Sequence, residues 1–369
     1  VHAFAQSNVC PFFVTYLVVI LLGSALLLWR RLPELRAENH LESFASRESA
    51  FLLNNWILLA MLFAVLWGTM FPVVSEAVTG EKITVGAPFF NQVSIPMGLV
   101  LLFLTGAGPL FAWRRTSTES FRKNFITPGI WMAVSLVALL VGGVRDIYAL
   151  MSLSLCGFVA GSIVLEFSRG ISARRRTSSE SALVALGTLL AKSRRRYGGY
   201  LVHVSMLLLF IGFTGNAFTI EREFVLNRGE SAQIGDYNLT FETLAFGDDE
   251  IKSVSAAALR LEHDGTFVST LVPERHFYKR AQQNTTEVAI HSRWHEDFYV
   301  IFVGAAQDNT SAKFHVYVNP LVGCVWWGAV LFCLSSLWTM WPSSRDRRMA
   351  QLDRESAQAA AWDPVPSAS

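Results

Sequence analysis

Charge is scarce in this sequence. Asp, Glu, Lys and Arg make up 16% of its 369 residues, against roughly 25% in soluble globular domains, which argues against both an ordinary soluble domain and a disordered chain. Neither sign dominates: 31 Lys+Arg stand against 29 Asp+Glu, so there is no basic excess of the kind that binds nucleic acid. Cysteine is nearly as rare. The four present include no CxxC pair and supply neither a disulfide framework nor a zinc site. A phosphate-binding loop, a Gly-x-Ser-x-Gly elbow and a His-Glu-x-x-His helix are all missing, which removes the commonest motif-bearing enzyme classes. No charged n-region or cleavage site precedes the first apolar run, and the first residue is Val1. The expectation is a fragment or one half of a longer protein, not a secreted precursor.

What the chain does have is apolar length. Hydrophobic residues reach 52% and the mean hydropathy is +0.36. A hydrocarbon core of about 30 Å needs about 20 apolar residues in a helix. Seven stretches qualify, near 11–29, 51–71, 93–113, 126–143, 147–167, 199–219 and 320–341. The alternative, a soluble protein with several buried helices, calls for shorter and more amphipathic segments. The fold class read from this is a polytopic α-helical membrane protein of seven spans, with a small all-β domain inserted before the last span. Basic residues set the orientation. Arg30, Arg31, Arg36 and Arg47 follow the first span; Arg114, Arg115, Arg122 and Lys123 the third; Arg169, Arg174 to Arg176 and Arg194 to Arg196 the fifth; Arg345, Arg347 and Arg348 the last. The opposite connections carry only Lys82 and Arg145. The N-terminus is therefore expected outside and the tail, 342–369, cytoplasmic and disordered. Trp29, Trp113 and Trp341 fall at inner span ends and Trp67, Trp326 and Trp327 near outer ones, as interfacial anchors do.

Within the six-span bundle, 1–219, Ala182, Leu183, Leu186, Leu189 and Leu190 recur at helical spacing between Arg-rich flanks. This predicts a helix near 178–193 lying on the cytoplasmic face, or simply an elbow into the sixth span. Residues 220–318 read differently. Alternating runs at 224–226, 238–246, 256–262, 267–272, 286–291, 298–303 and 313–318, separated by turn signals, predict about seven strands of a sandwich or barrel. Its 15 acidic residues outnumber its 9 basic ones, as fits a translocated domain facing outward. The last span follows at 319–341.

Ionisable groups inside a span mark function. His203, in Tyr197-Gly-Gly-Tyr-Leu-Val-His-Val204, lies about 9 Å into the sixth span at the helical rise. Neutral imidazole ligates haem iron, and Gly198 and Gly199 would admit a flat macrocycle or a neighbouring helix. A histidine hydrogen-bonded to another helix is an equal alternative. His2 sits outside the first span and alone reads as a surface residue. His276, His291, His295 and His315 belong to the β region, where a solvated face is favoured over a metal site. Glu76 and Glu166 are expected to snorkel or cap at span ends. Cys10, Cys156, Cys324 and Cys333 read as apolar filling, and no spacing favours a redox pair of Cys10 with Cys324.

Several motifs then form a consistent set. Phe51-Leu-Leu-Asn-Asn55, Gly68-Thr-Met-Phe-Pro72, Gly80-Glu-Lys-Ile-Thr-Val-Gly86 with Pro88 and Phe90-Asn91, the Arg194-Arg-Arg-Tyr-Gly-Gly-Tyr-Leu-Val-His203 run, Leu271-Val-Pro-Glu-Arg-His-Phe-Tyr278 and Thr286-Glu-Val-Ala-Ile290 resemble the CcmF family of cytochrome c maturation proteins, in order and up to about residue 341. The resemblance implies a bacterial inner-membrane subunit of a haem lyase complex, with N-terminus and β domain periplasmic. Such a complex attaches haem b to the CxxCH thiols of apocytochrome c at the periplasmic face. It implies a membrane b-haem supplying reducing equivalents, with His203 in the place of its second axial ligand, and His2, in Val-His-Ala-Phe, in the place of the second outer ligand of the substrate haem. Implied partners are the haem chaperone CcmE, a CcmH-type thiol subunit, apocytochrome c and quinol.

The family's Trp-rich haem-handling segment, its first outer histidine and its first membrane histidine have no counterpart in the sequence. The chain therefore looks like a C-terminal half, with an N-terminal haem-handling half as a further partner. Competing readings are an NrfE-like paralogue serving a nitrite reductase haem and a quinone-linked cytochrome b carrier without ligase activity, against which the β domain argues. A transporter would call for inverted repeats, and none is evident.

Overall fold

In a computed structural model, residues 9–35, 41–342, 348–349 and 351–356 are described; His2, the side chain of Cys10 and most of the expected tail lie outside this set. The chain divides into two compact units, Val1–Trp131 and Met132–Ser369.

The first unit holds helices α1 (Cys10–Arg31), α2 (Arg47–Thr79), α3 (Ala87–Ala107) and the start of α4 (Thr118–Val141). Ser46 caps α2 by accepting from Ser49 N, and Arg47 donates to the Pro109 carbonyl at 2.6 Å. Helix α2 outruns its apolar stretch, continuing through Pro72 to a left-handed Gly80. Its Gly68 lies under the rings of Phe89 and Phe90, where a Cβ would come within 3.0 Å of each; this packs α2 against α3.

In the second unit, α5 (Ile147–Ser178), the short α6 (Ala182–Lys192) and α7 (Arg194–Thr214) lead into the β domain, and α8 (Val322–Met340) leaves it. Seven of these helices, all but α6, are long and apolar enough to cross a membrane. Asp146 and Ser181 cap α5 and α6 by accepting from Ala149 N and Val184 N. Described tail residues 348–349 and 351–356 are helical.

The β domain is a sandwich of ten antiparallel strands. One sheet has four, in the order β1 (Ile220–Asn227), β10 (Ser311–Pro320), β9 (Glu296–Ala305), β8 (Ala289–Ser292). The other has six: β2 (Ser231–Ile234), β3 (Tyr237–Asp248), β4 (Lys252–His263), β6 (Glu274–Tyr278) and β7 (Gln283–Glu287) in order, with β5 (Thr266–Leu271) also pairing to β4. Alternation puts Leu239, Phe241, Leu259 and Leu261 of one sheet against Phe298, Val300, Phe302, Phe314 and Val316 of the other, all at most 1% exposed. Seven strands were expected and ten are present, because β2 and β6 carry too little apolar alternation to stand out. The run predicted as one strand over 286–291 is broken at Val288. Its two parts, β7 and β8, belong to opposite sheets, so this segment is a crossover.

The sandwich is clasped at its base. A single 3-10 turn, Gly215–Phe218, connects α7 to β1, and only Leu321, left-handed at φ 64°, separates β10 from α8. Thr219 donates to Asn319 at 3.1 Å, Leu321 N donates to the His295 carbonyl at 2.6 Å, and Gly215 lies against Pro320. A left-handed non-glycine residue costs about 1–2 kcal/mol, and the His295 hydrogen bond offsets part of that.

Candidate functional site around His203

Helix α7 is held from two sides. Against α5, Ser152 and Thr214 share a hydroxyl hydrogen bond of 2.6 Å at one end, and Arg196 donates to Glu166 at 2.8 Å at the other. Between them Phe167 packs on Tyr197 and Tyr200, with ring centroids 5.2 and 6.1 Å apart. Against α8 the contact runs through glycines. A Cβ on Gly212 would come 2.8 Å from Val325 N, one on Gly328 would come 3.0 Å from Leu209 N, and one on Gly198 would strike Thr339.

Gly198 therefore serves the helix–helix approach. Gly199 does not: nothing lies within 4 Å of the position a Cβ would take. Four residues on, His203 projects from the same side of the helix, as the α-helical period requires. Its ring meets the edge of Tyr200 at 5.9 Å. The buried Nδ1 of His203 has no hydrogen-bond partner. An unsatisfied buried polar atom costs about 1–3 kcal/mol, so a group engaging this imidazole would relieve a standing penalty. The alternative left open by the sequence, a histidine bonded to a neighbouring helix, finds no such bond at Nδ1.

Glu166 neither snorkels nor caps. Its side chain is 10% exposed and ion-paired with Arg196 and, at 3.5 Å, Arg169. This pair could not be read from the sequence, since Arg196 lies 30 positions away; the close packing of Gly170 on Tyr197 marks the same α5–α7 seam. Cys156 is buried, Cys324 half-buried and Cys333 exposed, all as free thiols.

In the β domain the solvated-face reading fails for His276. It is 6% exposed, with Nε2 2.7 Å from Glu274 and Nδ1 3.4 Å from Lys252 Nζ. It sits on β6, one of the two strands that the alternation did not reveal. His315 pairs with Glu223, which also accepts from Lys313 at 2.7 Å; the Lys313 hydrogen bond and then the charge of His315 hold the Glu223 carboxyl below its usual range. Tyr237 is buried and donates to Glu296 at 2.7 Å; desolvation, reinforced by that carboxylate, pushes its phenol up to about 12. Among the described residues, no group of three His, Cys, Asp or Glu side chains is placed to hold a metal ion.

Seven apolar helices with a β-sandwich entered from one of them and left into the last define a polytopic membrane protein with a folded extramembrane domain. Comparison with known proteins makes this specific. Residues 217–320 match the family described as the CcmF C-terminal β-sandwich. The cytochrome c-type biogenesis protein CcmF of Haemophilus influenzae is 31% identical over 355 residues, covering 94% of this chain and 52% of that protein. CycK of Rhizobium meliloti, also a cytochrome c-type biogenesis protein, is 27% identical over 352 residues, covering 95% and 51%. A solved cytochrome c haem lyase CcmF superposes with a TM-score of 0.64 at 26% identity, over 81% of this chain and 46% of the other. The chain is thus similar to CcmF proteins along more than nine-tenths of its length, and its helices and relatives support an inner-membrane protein. It spans about half the length of the curated relatives it matches.

Proposed function

We propose that this chain is the part of a cytochrome c haem lyase in which His203 would help hold a membrane b-type haem, and that it presents the β-sandwich on the periplasmic side. The observation carrying this reading is the imidazole whose buried Nδ1 is unpartnered, beside the open face of Gly199. That donor chemistry suits haem iron. When bound, such a haem would supply one-electron reducing chemistry.

The chain's own contribution is to hold the ring. The Glu166–Arg196 and Ser152–Thr214 contacts and the glycine seam fix α7, and the Tyr200 edge limits rotation of the imidazole. In this reading an N-terminal haem-handling half would complete the site, and His2, outside the described residues, would serve a second, outer haem. CcmE, a CcmH-type subunit, apocytochrome c and quinol are the partners. Attachment of haem to CxxCH thiols then asks mainly for positioning of two thiols against two vinyl groups.

The test is co-expression with an N-terminal half, comparing His203→Ala with the parent by visible absorption. We expect the membrane haem signal to vanish while the β domain stays folded; an unchanged spectrum would remove His203 from the mechanism. His2→Ala is expected to spare that signal and abolish cytochrome assembly.

A further inference from the structure

The turn between α5 and α6 makes none of the contacts described around His203. Here a cleft of about 340 Å³ is lined by Ser172, Arg175, Arg176, Ser179 and Glu180. Its one carboxylate is already engaged: Arg174 donates to both Glu180 oxygens, at 2.6 and 2.8 Å, and holds Glu180 below the usual carboxylate range. Arg175 and Arg176 are exposed and, among the described residues, have no carboxylate partner. The cleft therefore has two uncompensated positive charges with two hydroxyls beside them.

Helix α6 starts at its edge. Eleven residues rise about 16 Å, about half a hydrocarbon core, so α6 cannot cross. Yet its only charge is Lys192. Ala185 faces the protein, fully buried, while Leu183 is 81% and Val184 54% exposed. Helices α5 and α7 on either side are both of spanning length, which confines this elbow to the membrane surface.

A dibasic cleft followed, three and four residues beyond its last lining residue, by exposed aliphatic side chains has the polarity of a phospholipid. We propose that the α5–α6 elbow binds an anionic phospholipid, with Arg175 and Arg176 taking the phosphate and Leu183 and Val184 taking the upper acyl chains. Free phosphate shares the first contact but has no use for the second, and that difference separates the two sources.

The experiment reconstitutes the full chain in phosphatidylcholine nanodiscs containing phosphatidylglycerol and measures phosphatidylglycerol retained after extraction by native mass spectrometry. One basic side chain at an anionic surface is worth about fivefold, so R175Q/R176Q is expected to lower retention roughly 25-fold. The equivalent pair at another span end, R114Q/R115Q, should leave it unchanged. Leu183→Ser should weaken phosphatidylglycerol retention, and millimolar inorganic phosphate should compete poorly with the parent. Three results would each overturn the proposal: parental retention by R175Q/R176Q, an equal loss in R114Q/R115Q, or displacement by inorganic phosphate that Leu183→Ser leaves unaltered. If the double variant misfolds by circular dichroism, R176Q alone, with an expected loss of about fivefold, decides the matter.

Discussion

The β-sandwich and the α5–α7–α8 helices are built by opposite rules from the same residues. The sandwich packs large side chains into its core: Phe241, Phe298, Phe302 and Phe314 are at most 1% exposed. The helices meet through their smallest, Gly198, Gly212, Gly328, Ser152 and Ser205, and leave Trp326, Trp327 and Leu334 outward at 60% exposure or more. Water explains the first arrangement, since removing apolar surface from it drives folding. Lipid explains the second: tails are as apolar as leucine, so helices associate by close packing and polar contacts.

The contrast can be broken from either side. The largest effect is expected for Phe314→Ala, which empties the sandwich core and should destabilise the domain by about 3–5 kcal/mol, read by denaturant unfolding of the full chain. Next is Gly212→Leu. Its side chain would meet the α8 backbone at Val325, and overpacking of this kind costs about 1–3 kcal/mol; disulfide cross-linking yield between cysteines placed on α7 and α8 should fall. A smaller, pH-dependent effect belongs to Tyr237. Its phenol is raised from 10.0 to about 12 by burial and by Glu296, so between those values the folded domain holds a proton that the unfolded chain releases, and stability declines as pH rises. Tyr237→Phe should flatten that alkaline decline in the melting temperature. Smallest of all is Leu334→Ala, expected within about 0.5 kcal/mol; a loss approaching that of Phe314→Ala would mean the outward face of α8 is covered by protein.

The same contrast governs what was legible in the sequence. Spans announce themselves because lipid demands unbroken apolar length, and all seven could be read. Their ends could not: α2 continues past Pro72 and α5 runs on to Ser178, since helix persists where hydropathy has already stopped. In the sandwich, strands with a clean inward face were visible, while β2 and β6 were not, and the 286–291 run concealed a change of sheet at Val288. His203 and its glycines could be singled out because a charge-capable group in an apolar run is conspicuous. The Glu166–Arg196 pair and the buried His276 could not, because each depends on a partner that only the fold brings near.

The clasp at the base of the sandwich sets how the domain can move. With one short turn on the way in, one residue on the way out and Gly215 seated on Pro320, there is no slack in the mounting. A partner that tilts the sandwich must also lever the helix bearing His203, as a stiff mast passes every push at its top to the deck beneath.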